Sequence, residues 1–377
     1  MLLVAVNMRA AVTSVGPVLE DIRADLGLTA AEASALTALP VLCFGLAAAF
    51  APPLSRRLGI ERSLALVLAA TTVGLALRVS SSTAALFAGT LLAGAAIAVG
   101  NVLIPALIKR DFPERSGPMM GLYVSVMAAS AAVAAAVTVP VGDLTGWDWR
   151  GGLGIWMLPA AVALVPWVVR VRRSNAEGVR PVTLSAALRR DVLAWQVTLF
   201  MGLQSLGFYA LVAWLPAIYR SRGVSADQAG FLLSMALIVG VPFALIVPSL
   251  ATRGAQQRGW TTATTGITGL GLLGLLVAPT AYPAVWPLLL GMGTGSAFPL
   301  GLTLVVLRSR NVIDAARLSA MSQSAGYLLA SAGPFAFGAL RDVTGGWDAS
   351  IVLLLLLLIP QLLSGWGAGR AAHVGGD

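Results

Sequence analysis

Charge is scarce in this chain. Only 11% of its 377 residues are Asp, Glu, Lys or Arg, and 58% are hydrophobic, whereas an ordinary soluble protein carries roughly 25% charged residues. That balance excludes a water-soluble globular enzyme. Cysteine and histidine are nearly missing as well. One cysteine, Cys43, leaves no intrachain disulfide and no thiolate metal cluster, and the one histidine, His373, stands close to the C-terminus; zinc sites and histidine-based catalysis lack their residues. There is no Walker loop, and Gly293-x-Gly295 has no strand before it and no soluble helix after it, so no nucleotide and no other cofactor is expected. A membrane-embedded enzyme would need clustered His, Asp or Ser nucleophiles near one face, and the sequence has none.

What is present is apolar sequence in long runs. A membrane-crossing helix uses ~20 apolar residues, and runs bounded by charged or Gly/Pro turns fall at about 1–19, 30–52, 62–80, 84–108, 117–140 and 151–169, then 193–218, 229–250, 260–279, 283–307, 317–340 and 347–368. The expected class is an all-α membrane protein of twelve spans. The net charge of +9 lies in short Lys/Arg clusters between the runs, the distribution of topology signals and not of a nucleic-acid surface. With the N-terminus inside, eighteen of the 25 basic residues fall on the inner side and six on the outer. The positive-inside rule then places both termini in the cytoplasm, in a bacterial-type plasma (inner) membrane.

The longest polar stretch, Arg170 to Asp191, divides the spans six and six. It reads as a cytoplasmic linker, residues 170–192, between an N-terminal half, 1–169, and a C-terminal half, 193–377. The halves repeat one another. Gly27-Leu28-Thr29-Ala30-Ala31-Glu32-Ala33 returns as Gly223-Val224-Ser225-Ala226-Asp227-Gln228-Ala229, and Asp143-Leu144-Thr145-Gly146 returns as Asp342-Val343-Thr344-Gly345. Both copies keep the same order and the same expected side of the membrane, which is a parallel repeat. Only six residues precede Asn7, about 9 Å of helix, so the first span looks clipped at its cytoplasmic end or begins before the Met1 written here; no cleaved signal peptide is expected.

Arg9 is the sharpest feature. An ionised side chain within a span is costly and faces a cavity, a partner or a ligand; the alternatives are an arginine that binds an anionic or dipolar solute and one that caps carbonyls or snorkels to the interface. Asn7 and Thr13 accompany it, Thr13 on the same helical face. Arg78, sixteen residues beyond Arg62, reads either as an anchor near the outer interface or as a vestibule for anions. Asn101 in the fourth span, Gln204 and Tyr209 in the seventh, and Gln323 with Tyr327 one turn apart in the eleventh are polar groups that suit a cavity or serve as interhelical glue. Trp214 is expected in the interfacial aromatic belt. The runs around Gly89, Gly94 and Gly100, Ala128 to Ala136, and Gly291 to Gly295 read as close-packing surfaces. No carboxylate falls mid-span, so no carboxylate proton relay is expected.

Several of these segments together resemble a known family. Asn7-Met8-Arg9 with Thr13-Ser14-Val15-Gly16-Pro17, Gly100-Asn101-Val102-Leu103-Ile104-Pro105-Ala106, Lys109-Arg110-Asp111-Phe112-Pro113, Trp195 through Ser205, Phe208-Tyr209, Trp214-Leu215-Pro216 and Gln323-Ser324-Ala325-Gly326-Tyr327 with Gly333-Pro334 are similar to the cyanate and nitroimidazole transporter branch of the major facilitator superfamily. The resemblance implies two pseudo-symmetric six-helix halves and a secondary or facilitative transporter that moves a small polar or anionic solute by alternating access. It also implies that Asn7, Arg9, Asn101, Gln204, Tyr209, Gln323 and Tyr327 line the cavity. The alternative is a multidrug or metabolite exporter of the same fold. Two departures stand out: Ala10 replaces the family's proline after the first-span arginine, and Arg56 replaces the acidic residue usual in the loop between spans two and three. Without a mid-span carboxylate, the expected modes are uniport, anion exchange, or symport of a proton carried on a weak acid. The expected partners are a small-molecule substrate and membrane lipid, with no nucleic acid, and the fold by analogy works as a monomer.

Overall fold

In a bilayer the backbone has no water to bond, so each spanning segment must satisfy its own N–H and C=O groups. The computed structural model, which describes residues 1–28, 30–173 and 186–375, meets that demand with helices; among the described residues there is no strand. The first eight helices are α1 (Leu2–Thr13), α2 (Leu19–Leu26), α3 (Ala30–Ala47), α4 (Ala51–Arg78), α5 (Thr83–Asp111), α6 (Ser116–Thr145), α7 (Asp148–Gly154) and α8 (Met157–Arg173). They are followed by α9 (Ala186–Arg190), α10 (Val192–Ser221), α11 (Ala226–Ala251), α12 (Arg258–Val277), α13 (Val285–Leu307), α14 (Val312–Thr344) and α15 (Asp348–Ala368).

Every one of the twelve apolar runs is occupied by helix, and nine helical stretches among the described residues are long and apolar enough to cross a membrane. The other runs fall short for identifiable reasons. The first is cut: Pro17 has no N–H to offer Thr13, α1 ends there, and a 3-10 turn at Gly16–Val18 leads into α2. The second and third join, because helix continues through the expected loop at 53–61 and breaks only at Gly59, whose φ of +80° suits glycine alone. In α14 the Ser, Gln and Gly residues dilute the apolar content.

The internal repeat is a repeat of turn chemistry. Gly27 closes α2 and Gly223 follows α10, both left-handed at φ +64° and +85°. Ser225 then caps α11 by accepting the Gln228 N–H; its counterpart, Thr29, lies outside the described residues. Likewise Gly146 after α6 and Gly345 after α14 are left-handed at φ +66° and +73°, and Trp147 and Trp347 stand at the N-caps of α7 and α15. A left-handed glycine satisfies the last carbonyls of the helix before it and redirects the chain.

Two compact units result: Met1–Leu107 with Tyr123–Leu184, and Ile108–Leu122 with Ser185–Asp377. Most of the expected linker, residues 174–185, lies outside the described residues. The stretch Ile108–Leu122 joins the second unit where Gly117 and Gly121 of α6 meet α11. A Cβ on Gly117 would stand 2.4 Å from Pro248 O, and one on Gly121 2.7 Å from Leu245 O.

In the second unit α10 is central, packing on α11, α13, α14 and α15. Trp214 packs against this core: its indole N–H donates to Pro334 O at 2.9 Å and its ring lies 5.2 Å from that of Trp347. The Gly291–Gly295 run is a packing surface. A Cβ on Gly291 would stand 2.1 Å from Ala236 O, one on Gly293 2.2 Å from Thr268 Oγ1, and one on Gly295 2.4 Å from Gly240 Cα. Since the obstacle at Gly291 is backbone, Gly291→Ala should destabilise by about 1–3 kcal/mol through overpacking, read as a lower unfolding midpoint of the purified protein. In the first unit α4 packs on α7 and α8 and α1 on α8, and Val15, Val18, Ile22, Leu86, Trp149 and Leu153 form a buried cluster around the α1–α2 break.

Candidate functional site

In the first unit the candidate residues lie on α1, α5 and α6. Arg9 is partly exposed, in a helix with no acidic residue. Asn101, nearly buried on α5, accepts at Oδ1 from the Tyr123 hydroxyl of α6 at 2.8 Å. The Arg9 guanidinium lies close enough to act electrostatically on that hydroxyl. Asn101 and Tyr123 are thus a hydrogen-bonded pair drawn from two helices, with the Arg9 charge of α1 in the same unit.

Tyr123 was not among the residues singled out in the sequence. Nothing in its own segment marks it; only the register of α6 against α5 brings it to Asn101. Tyr123→Phe removes a buried donor and should lower stability by about 1 kcal/mol, measurable as a small drop in the unfolding midpoint.

Asn7 and Thr13 are placed differently. The Asn7 amide donates to Leu3 O at 2.7 Å and to Pro159 O at 3.2 Å, fastening α1 to α8. The Thr13 hydroxyl is shared between Arg9 O at 3.1 Å and Ala131 O at 3.3 Å, fastening α1 to α6. Their donors are spent on backbone. Arg78 is not the interfacial anchor that its position suggested: it is wholly buried, donating from Nε to Thr90 Oγ1 at 3.1 Å and from Nη1 to Ala11 O.

A cleft of about 440 Å³ in the first unit is lined by Val18, Asp21, Ala24, Asp25, Val139, Asp143, Asp148 and Trp149. Asp25 there is paired with Arg150 at 2.8 Å and accepts the Trp149 N–H at 3.2 Å. Its four carboxylates make it a poor place for an anion, in contrast to the Arg9 group.

In the second unit the candidates follow the seam between α10 and α14, held close because Gly202 faces Gly326, with 3.0 Å between a Cβ on Gly202 and Gly326 Cα. Gln204 is buried and donates to Met201 O at 3.0 Å and Ser205 Oγ at 2.6 Å, while its Oε1 has no hydrogen-bond partner among the described residues. Gln204 also lines a small cavity with Thr268, Thr294 and Gln361, of about 20 Å³, enough for one ordered water and too little for an organic solute. Gln323 donates to Ser319 Oγ at 2.8 Å, Tyr327 is buried one turn on, and Tyr209 is half-buried with its ring edge-on to Phe208 at 5.4 Å. These groups can offer amide and phenol hydrogen bonds but no charge.

At the ends of α11, α12, α13 and α15 lies a knot the sequence did not announce. Arg308, nearly buried, donates from Nε to Ala368 O at 2.9 Å and from Nη2 to Gln257 Oε1. Burial, and after it the charge of Arg370, pulls this guanidinium down to about 10, which leaves it charged at neutral pH.

The family model described as Major Facilitator Superfamily matches residues 1–334. Among characterised and uncharacterised relatives, the chain is 42% identical over 372 residues to the uncharacterized transporter YycB of Bacillus subtilis (strain 168), spanning 98% of this chain and 92% of the relative. It is 38% identical to the 2-nitroimidazole transporter of Escherichia coli (strain K12), covering 99% and 95% of the two chains. With the cyanate transport protein CynX of the same organism the identity is 32%, over 92% and 90%. Among solved structures, that of the proton:xylose symporter XylE superposes with a TM-score of 0.80 at 13% identity, over 99% of this chain and 96% of that one; at that identity the likeness speaks for the fold alone.

Proposed function

The chain belongs to the Major Facilitator Superfamily and is a membrane transporter, not an enzyme, and on that premise we propose that it moves a small anion or strongly dipolar solute recognised by Arg9. One observation carries the reading: a guanidinium on α1, a helix without an acidic residue, in the same unit as the buried Asn101–Tyr123 hydrogen bond. A cation in a spanning helix gains most from a ligand with charge to share, and the relatives named for cyanate and 2-nitroimidazole handle an anion and a nitro-aromatic of large dipole.

Tyr123 and Asn101 orient that solute in this reading. Gln204, Tyr209, Gln323 and Tyr327 are the second unit's own candidates for neutral hydrogen bonds to a solute, and Asn7 and Thr13 hold α1 in place. Residues 1–169 and 193–377 act as the two halves of the alternating-access cycle. The protein resides in a plasma membrane with both termini cytoplasmic, as a monomer in lipid. Transport runs as uniport, as anion exchange, or with the proton carried by a weak-acid substrate.

The test is counterflow in proteoliposomes with cyanate, 2-nitroimidazole, and cationic and neutral drugs as probes. Saturable uptake of cyanate or the nitro-aromatic, competed by other small anions, is the expected result. Uptake of the drugs alone, indifferent to anions, would overturn it in favour of an exporter.

A further inference from the structure

The second unit carries guanidiniums that the reading above does not use, and three of them gather where α15 ends and α12 begins. The Gln257 N–H donates to Gly369 O at 2.8 Å, and a Cβ on Gly369 would stand 2.6 Å from Arg258 N, so the two helix ends meet through their backbones. Arg258 turns back onto α15: its Nε donates to Trp366 O at 3.3 Å and its guanidinium lies 5.2 Å from the centre of the Trp366 ring. Arg308 bonds Ala368 O at 2.9 Å, and Arg370 follows Gly369 directly. Arg308 is nearly buried, whereas Arg258 and Arg370 are partly exposed. Among the described residues no carboxylate pairs with any of the three.

An apolar surface leads to these charges. Val352, Leu356, Ile359, Leu363 and Trp366 are exposed on α15, at the three- and four-residue steps that set side chains on one helical face. That face runs about 21 Å, longer than the ~15 Å of hydrocarbon in one leaflet. It ends in Trp366, 50% exposed, the residue type that sits at headgroup level. α12 packs on α15, with Gln361 Nε2 donating to Thr265 Oγ1 at 3.2 Å. Its exposed residues nearest Arg258 are small, Gly259, Ala263 and Gly266, and a Cβ on either glycine would meet nothing within 4 Å.

Like charges held together without a carboxylate repel one another, and a ligand of opposite charge relieves them. The ammonium of a zwitterionic headgroup would add to the repulsion, whereas a phosphodiester of net negative charge suits the forked donors of two guanidiniums. Basic pockets between spanning helices hold anionic headgroups in this way. We propose that an anionic phospholipid of the phosphatidylglycerol type docks here, its phosphate on Arg258 and Arg370 and an acyl chain along Leu356, Ile359 and Leu363. By bridging the start of α12 and the segment after α15, the lipid ties the two helix ends. The site stands apart from the transport reading, since it uses neither Arg9 nor any residue proposed to meet the solute.

The experiment is thermal unfolding of the purified full-length protein in neutral detergent with added phosphatidylglycerol, phosphatidylcholine of the same acyl chains, or inorganic phosphate. A saturable rise of about 3–5 °C is expected with phosphatidylglycerol alone. It should fall to about half in Arg258→Gln and in Arg370→Gln and vanish when both are changed, while Arg258→Lys with Arg370→Lys keeps part of it, having the charge without the fork. Should the double glutamine variant fail to fold, native mass spectrometry of the two single variants counts the phosphatidylglycerol each retains, and counts equal to wild type overturn the proposal. Equal rises with the two lipids would mean that the apolar face acts alone, and an equal rise with inorganic phosphate would make this a site for a soluble anion. A phosphatidylglycerol shift undiminished in the double glutamine variant would place the lipid elsewhere. Each of these results overturns the proposal.

Discussion

Arg9→Gln should reduce uptake of an anionic probe by about 10²–10⁴-fold while leaving the protein folded. Two hydrogen bonds to a charged partner contribute about 1.5–3 kcal/mol each, and each 1.4 kcal/mol is a factor of ten in affinity. Glutamine is shorter and ends in a single neutral amide, so it removes the charge and the paired donors together. Arg9→Lys restores charge without the planar fork and should fall between, since a point cation cannot bond two oxygens side by side. Stability is the control. Because Arg9 is partly exposed and the Asn7 and Thr13 bonds that fasten α1 to α8 and α6 do not use its side chain, the unfolding midpoint of Arg9→Gln should lie within a few degrees of wild type. A large loss of stability with transport per folded molecule unchanged would make Arg9 a structural residue. The comparison is made by counterflow on reconstituted protein normalised to its folded fraction.

The architecture was readable because the bilayer leaves few choices. Apolar runs of spanning length must be helices, and their ends announce themselves: the left-handed glycines Gly27, Gly146, Gly223 and Gly345 fall where the repeated turn sequences lie. Breaks depended on subtler matters. Gly59 bends a helix where its polar neighbours Ser55, Arg56 and Arg57 looked like a loop, and Pro17 shortens α1 because of one missing N–H.

The candidate site was half legible. Arg9, Asn101 and Gln204 stood out because a polar group within an apolar run is itself a signal. Which of them meet was hidden, since contact across helices depends on rotational register that no single segment encodes. Tyr123 reaches Asn101 for that reason, and Asn7, equally conspicuous in the sequence, spends its amide on Leu3 and Pro159. Arg78 shows the same limit from the other side. Counting residues from Arg62 put it near an interface, yet the close approach of Gly74 to Gly89, where an added Cβ would meet backbone at 2.8 Å, draws α4 and α5 together and Arg78 becomes wholly buried against Thr90.

Arg308→Ala should be among the most destabilising single changes in the second unit, lowering stability by about 3–5 kcal/mol. Its guanidinium is charged and nearly buried, so its bonds to Ala368 O and Gln257 Oε1 are charge-assisted, and such bonds contribute about 1.5–3 kcal/mol each. Truncation also orphans the acceptors. Gln257 cannot turn to find another donor, because its Nε2 is committed to Ala251 O at 3.1 Å and Gly254 O at 2.7 Å while its backbone N–H holds Gly369 O at 2.8 Å. The backbone of Arg308 receives Val374 N–H at 2.8 Å as well, so the C-terminal segment docks on the same knot. Gln257→Leu alone should cost less, and the double variant less than the sum of the two, because both changes remove one shared bond. Denaturant or thermal unfolding of the four proteins of that cycle measures the coupling. Additive losses would mean that Arg308 and Gln257 stabilise the unit independently, whereas a coupling of 1 kcal/mol or more would identify this bond as the tie between the ends of α11, α13 and α15.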